Sequence, residues 1–260
     1  MSSTPWKPIL KSLISENIKI LKSTIPILPM QFSTFDASTC RPTNRTVMFR
    51  GFLGEKNNGI HKNELVEYLN SMSSEISLKG INPEIETDLL VITTDIRTPK
   101  VKHLLENPGF EVCWLSGNAY VLPPPTNPIL AHFPSNLLHP YSFSVNLTSL
   151  IDQFDWEQER KRYWYETSSD LRARFLMPPS AQEINEGEIQ KVVRELDSIG
   201  KNMDEILLVN KALENFGLIV MKVDYVDHLE LKLTHNRTIW KLQKSVDLNK
   251  EEWVKKDVVP

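Results

Sequence analysis

At 260 residues with a formal net charge of −3, the chain can bury a substantial core, and its balanced charge argues against nucleic acid or an anionic membrane surface as partner. Two cysteines, Cys40 and Cys113, with no CxxC spacing argue against a disulfide framework and a zinc site, so no metal is expected. The longest apolar run, Phe216 to Val223, is interrupted by Lys222 and is too short for a bilayer span, and the N-terminus lacks a secretory layout, so a cytoplasmic protein with reduced thiols and no membrane partner is expected.

Apolar residues at Ile9, Leu10, Leu13, Ile14, Ile18 and Leu21 follow helical spacing, which predicts an N-terminal helix within about 8–24. Met30 to Phe35, a polar turn over Asp36 to Arg41, and the β-rich Thr43 to Leu53 predict a hairpin. Gly54 to Thr87 is polar and broken by Pro83, which fits an insertion with one short helix over Lys62 to Met72. Leu89 to Thr94 predicts a strand, and Thr98-Pro99 starts a helix that should end at Asn107, before Pro108. A short strand is expected over Glu111 to Leu115, and a rigid bend at Pro123-Pro124-Pro125 opens an irregular stretch to Leu150.

Helices are predicted over Asp155 to Thr167, Ser168 to Met177, and Ile184 to Phe216 with a break at Gly200, giving a helical insertion at about 155–216. Strands return over Leu218 to Val226, Leu229 to Leu233, Thr238 to Gln243 and near Trp253. Strands at both ends with helices between them predict an α+β fold whose sheet is closed by the C-terminus, with residues 1–260 forming one domain.

No GxSxG, Walker loop, HExxH or GxGxxG is present, so attention falls on cations and hydroxyls at element ends. In Arg45-Thr46-Val47-Met48-Phe49-Arg50, the two arginines are roughly 16 Å apart along a strand, about the length of an extended phosphorylated ligand. Taken alone, two surface arginines bracketing a core strand would be the plainer interpretation. In Thr93-Thr94-Asp95-Ile96-Arg97-Thr98-Pro99-Lys100, a strand runs into a helix whose free amides and dipole favour an anion. Lys100 in the first helical turn opposes that dipole unless an anion is bound, so an anion site and a solvated lysine stand about even.

Together with "EVCW" at Glu111 to Trp114, "VLPPPTNP" from Val121 and "LTHNRTIW" from Leu233, these segments resemble the pyridoxamine 5'-phosphate oxidase-like family. That resemblance implies an antiparallel split β-barrel with peripheral helices, binding FMN and assembling as a homodimer. It implies that Arg45 and Lys100 hold the FMN phosphate. The backbone of Thr46, Val47, Met48 and Phe49 would line the flavin, with Arg50 at its far end and Thr93 and Thr94 alongside. Arg237 would approach the ring from the partner subunit, and His235 would line the substrate side. Pro99 stands where the true oxidases place a second phosphate cation, leaving Arg97 as its substitute. Leu233 replaces the substrate arginine, and the segment after Trp114 is shorter than in relatives, where it carries a flavin-contacting glutamine. The resemblance therefore implies a flavin-dependent oxidoreductase of unknown substrate rather than a true pyridoxamine 5'-phosphate oxidase, with a non-catalytic module on the same barrel as the alternative.

Overall fold

Asp36 fixes the first hairpin. Its carboxylate accepts hydrogen bonds from the Ser38 backbone (2.9 Å) and from the Ser38 and Thr39 hydroxyls (2.6 and 2.9 Å), closing a turn over Ala37–Cys40. The turn pairs Asp36 with Arg41 and sets the register of β1 (Leu28–Asp36) and β2 (Arg41–Phe52), in which Thr34 faces Thr43. The computed structural model describes residues 4–20, 28–55, 85–138, 154–179, 194–230, 236–244 and 251–260. The expected helix over Lys62 to Met72 lies outside them.

Helix α1 (Lys7–Ile20) precedes the hairpin, and β3 (Leu90–Asp95), α2 (Pro99–Glu106), β4 (Gly109–Val112) and β5 (Leu115–Leu122) follow it. Then come α3 (Trp156–Tyr165), α4 (Ser169–Arg174), α5 (Met203–Asn215), β6 (Phe216–Glu230), β7 (Asn236–Lys244) and β8 (Glu251–Val258). The strands pair antiparallel in the order β3-β2-β1-β4-β5-β6, and β6 pairs back onto β3. The result is a closed six-stranded barrel, extended outward from β6 by β7 and β8. This is the expected α+β split barrel with peripheral helices.

Alternation along the strands divides the core in two. Leu90, Ile92, Ile219, Met221 and Val223 point into the barrel, where Phe32, Val47, Phe49 and Val121 meet them under α1 and α2. Leu89, Val91, Leu218 and Val220 point outward and are covered by Tyr163 and Trp164 of α3 and Val209 and Ala212 of α5. Burial on both faces is why β3 and the first half of β6 are continuous apolar runs.

Three elements depart from the sequence expectation. The single strand expected over Glu111 to Leu115 is instead the end of β4, a turn at Cys113-Trp114 and the first residue of β5, which runs to Leu122 although Ser116-Gly117-Asn118 has the composition of a loop; pairing with β4 on one side and β6 on the other overrides that weak local preference. The break expected between Val226 and Leu229 is absent: the β6–β7 ladder runs on from Val226 to Glu230, and the Asp227 carboxylate is paired with the diagonal Arg237 at 2.6 Å. The long helix ending at Phe216 shortens to α5: residues 194–202 are not helical, and 180–193 lie outside the described residues. Gly200 has φ of 88°, and a Cβ there would come within 2.7 Å of the Ile206 backbone nitrogen.

Arg160 anchors the helical segment to the barrel. Only 2 % exposed, it donates to the carbonyls of Leu213 (3.0 Å) and Phe216 (2.8 Å), and its other face holds Glu157 at 2.7 and 2.8 Å. Arg160→Met removes donors from two carbonyls at the α5–β6 junction and should cost about 2–4 kcal/mol, a fall of roughly 5–12 °C in Tm. Lys161→Met loses only an exposed pair with Glu157 at 3.5 Å and should stay within about 0.5 kcal/mol. Thermal melts followed by circular dichroism separate the two outcomes.

Candidate functional site

The β1–β2 hairpin and the start of α2 meet at one end of the barrel, and the cations predicted from sequence meet there too. Arg45 lies on the same face of β2 as the buried Val47 and Phe49. Its Nη1 donates to the Thr34 hydroxyl (2.6 Å) and its Nη2 to the Thr43 hydroxyl (2.5 Å). Lys100 Nζ donates to the Thr98 hydroxyl at 3.0 Å. Burial, followed by the charge of Arg45, lowers the Lys100 pKa to about 8. Burial also pulls down the pKa of Arg45. Among the described residues neither cation has a carboxylate within ion-pair distance.

The helix terminus adds to this field. Thr98 occupies the N-cap of α2, but its hydroxyl donates to the Asp95 carbonyl (2.7 Å) and accepts from Lys100 instead of capping the helix amides. Two half-buried cations beside an uncapped helix start form an electropositive corner with unused donors, which is the arrangement a phosphate requires. The residues present fit the phosphate end of FMN.

The other predicted residues fall in different places. Arg50 is five positions from Arg45 and so points to the opposite face of β2, where its Nε donates to the Thr93 hydroxyl at 3.3 Å. The positive φ of 101° at Gly51 and the register shift before Phe52 come after Arg50 and do not return it to the inner face. Arg50 therefore faces α3, and the Glu166 carboxylate acts on it there; burial pushes the pKa of Glu166 up. Thr46 and Met48 share that outer face and are exposed, whereas Val47 is core. Thr94 is buried and bonds the Asp95 carbonyl at 3.1 Å.

Arg97 is held apart from Lys100 by its own partners. It donates to both Asp95 carboxylate oxygens (3.0 and 2.6 Å) and to the carbonyls of Phe175 (3.2 Å) and Met177 (2.8 Å), tying α4 to the β3–α2 turn. Arg237 is paired with Asp227 at the base of β7, and that carboxylate is correspondingly held below its usual range. His235 and Leu233 lie outside the described residues. The turn after Val112 has two residues, Cys113 and Trp114, with Cys113 at φ 53°, so the shortened segment is a tight hairpin.

Sequence reasoning missed Thr34, Thr43 and His103. The last is buried on α2, with its Nδ1 at 3.1 Å from the Thr34 hydroxyl and 3.3 Å from that of Thr43. The four-residue turn after Asp36 could have shown that Thr34 faces Thr43, but nothing local links either to His103. A groove of about 500 Å³ runs along β1, β4 and β5, with Thr34 in its lining. It is lined by Glu111 and Asp224, so its charge repels a phosphate. Among the described residues no cluster of His, Cys, Asp or Glu could hold a metal, and no helix is long and apolar enough to cross a membrane.

Comparisons with known proteins converge on one family. Residues 3–120 match the family described as pyridoxamine 5'-phosphate oxidase, FMN-binding domain. Two curated relatives are each 22 % identical: protein YGR017W of Saccharomyces cerevisiae, with 98 % of both chains aligned, and pyridoxine/pyridoxamine 5'-phosphate oxidase 2 of Arabidopsis thaliana, with 88 % of this chain and 84 % of the relative. A pyridoxamine 5'-phosphate oxidase-related, FMN-binding protein from Nostoc punctiforme shares the fold over the whole of both chains, with TM-score 0.60 and 20 % identity. PhzG from Burkholderia lata, solved with tetrahydrophenazine-1-carboxylic acid, does so over 99 % of this chain and 95 % of its own, with TM-score 0.52 and 10 % identity. The matched segment contains α1, strands β1 to β4, most of β5 and the side chains of the electropositive corner, and over it the chain is similar to the pyridoxamine 5'-phosphate oxidase, FMN-binding family.

Proposed function

We propose that this chain binds FMN, with Arg45 and Lys100 holding its phosphate, and works as a flavin-dependent oxidoreductase on a small molecule. The observation that carries this reading is the pair of cations brought together from β2 and α2 with no carboxylate within ion-pair distance of either among the described residues. The names of the Nostoc and Arabidopsis relatives support the same chemistry. When bound, FMN supplies the redox step; the protein's part is to bind, orient and set the local field. Thr34 and Thr43 hold Arg45 in place, Thr98 steadies Lys100, and the exposed outer face of β2 offers backbone and side chains at Thr46 and Met48. Arg237 joins neither cation group within one chain, so a role at the flavin requires a second copy, and a homodimer is part of the proposal. The two-residue turn at Cys113-Trp114 favours a second reading, a binding module on the same barrel with a weaker hold on the cofactor.

Three expected outcomes test this. Protein titrated with FMN and with riboflavin, followed by flavin fluorescence, should prefer FMN. Lys100→Met should lose about 10- to 100-fold in FMN affinity, the loss of one charge-assisted contact, and leave riboflavin unchanged. Equal affinity for both flavins in the unmutated protein would remove the phosphate site from the account.

The lowered Lys100 pKa gives a pH dependence of definite sign. Below about 8 the amine is already protonated in the free protein and its contribution is constant. Above it, the phosphate must recruit a proton to the amine on binding, so FMN affinity should fall as pH rises. Lys100→Met should abolish that fall.

Light scattering of the FMN-loaded protein at micromolar concentration should give twice the 30.0 kDa chain mass. A monomer with FMN bound would end the assignment of Arg237 to a partner's flavin.

A further inference from the structure

The hydroxyls of Thr34 and Thr43 stand 3.2 Å apart, and each accepts a hydrogen bond from Arg45. The Thr43 hydroxyl donates to the Thr34 carbonyl at 3.2 Å. The Thr34 hydrogen can then go to His103 Nδ1, 3.1 Å away, which fixes a neutral imidazole with its proton on Nε2. Nε2 faces Asp36 Oδ2 at 3.8 Å. Protonating the ring does not break this network. Nδ1–H would donate to the Thr34 oxygen, and the Thr34 hydrogen would turn to Thr43. Nδ1 and the two hydroxyls keep hydrogen-bond partners in both states, and Nε2 keeps Asp36 at 3.8 Å, so local charge decides between them.

The charges facing the ring come from each element packed on it. Strand β1 brings Asp36, whose pKa is lowered to about 2 by hydrogen bonds from the Ser38 and Thr39 side chains, so it stays an anion. Strand β2 brings Arg45, and Arg41 opposite Asp36 is exposed. From its own helix come Lys100 and Glu106, the latter 3.9 Å from Lys102. Strand β5 meets α2 with Ala119 and Val121 and no titratable group. With the corner empty, Arg45 and Lys100 oppose a third cation; a phosphate dianion there reverses the sign of the field.

We propose that His103 is a third cationic member of the Arg45–Lys100 site, taking up a proton when a phosphate binds and linked to Arg45 through the hydroxyls of Thr34 and Thr43. It acts through Arg45 and is a positioning residue. The proposal rests on the reading of this corner as a phosphate site, and the test keeps the two apart.

Calorimetric titration with FMN near pH 7, in buffers of different ionisation enthalpy, counts the protons exchanged. His103→Asn keeps an acceptor near the Nδ1 position but cannot be charged. The unmutated protein should take up a measurable fraction of a proton more than this variant, with no difference for riboflavin. Equal proton exchange in both proteins, each still preferring FMN to riboflavin, would overturn the role of His103 and leave the phosphate site standing. No preference for FMN in the unmutated protein would overturn both. Ring-proton NMR on the unmutated protein gives a reading independent of the variant's folding. One of the six histidines should titrate at least one pH unit higher with FMN than with riboflavin, and six unmoved midpoints would overturn the proposal.

Discussion

The six backbone pairs between Leu90–Asp95 and Phe216–Met221 close the barrel by joining segments more than a hundred residues apart in the chain. Closure removes the sheet edges that β3 and β6 would otherwise expose and buries both faces of each strand. The intervening chain must therefore complete the wall, as β4 and β5 do, or cover the outside, as α3 and α5 do. The site inherits its geometry from this arrangement. The end of β3 is clamped, so the turn into α2 is clamped with it, and the helix start is delivered to the end of the β1–β2 hairpin where Arg45 projects.

The same turn shows how polar groups divide between structure and site. Arg97 and Lys100 are three residues apart, yet Arg97 is consumed by Asp95 and two carbonyls while Lys100, among the described residues, hydrogen-bonds the Thr98 hydroxyl and has no ion pair. An arginine with a bidentate carboxylate and carbonyl acceptors is a bracket between elements. A half-buried lysine beside another cation carries its charge at a cost, which either an anion or loss of the proton relieves. Similar logic separates Arg160, bonded on every side within the helical cover, from Arg45, which rests on hydroxyls alone.

The hairpin, β3, α2 and the start of α3 were legible because each carries a local signal: the Asp36 turn, an apolar run, Thr98-Pro99, and Asp155 capping the amides of Glu157 and Gln158. Strand β5 was not, because Ser116-Gly117-Asn118 has no strand preference of its own and is held by partners on both sides. The order of motifs along the chain also marked Arg45 and Lys100 as members of one site. It set Arg97 beside them and Arg50 at the far end of the ligand; in the structure Arg97 is taken up by Asp95 and two carbonyls, and Arg50 lies on the opposite face of β2.

By itself, the amino-acid sequence determined the class of fold and marked Arg45 and Lys100 as candidate site cations, because alternation, capping and motif order are local properties of the chain. Only the tertiary structure decided which cations stay unneutralised and which hydroxyls and imidazole support them. Electrostatic environment depends on neighbours across strands and helices: the hairpin alone brings Thr43 to Thr34, but the 60 residues separating Thr43 from His103 vanish only when α2 docks on the barrel.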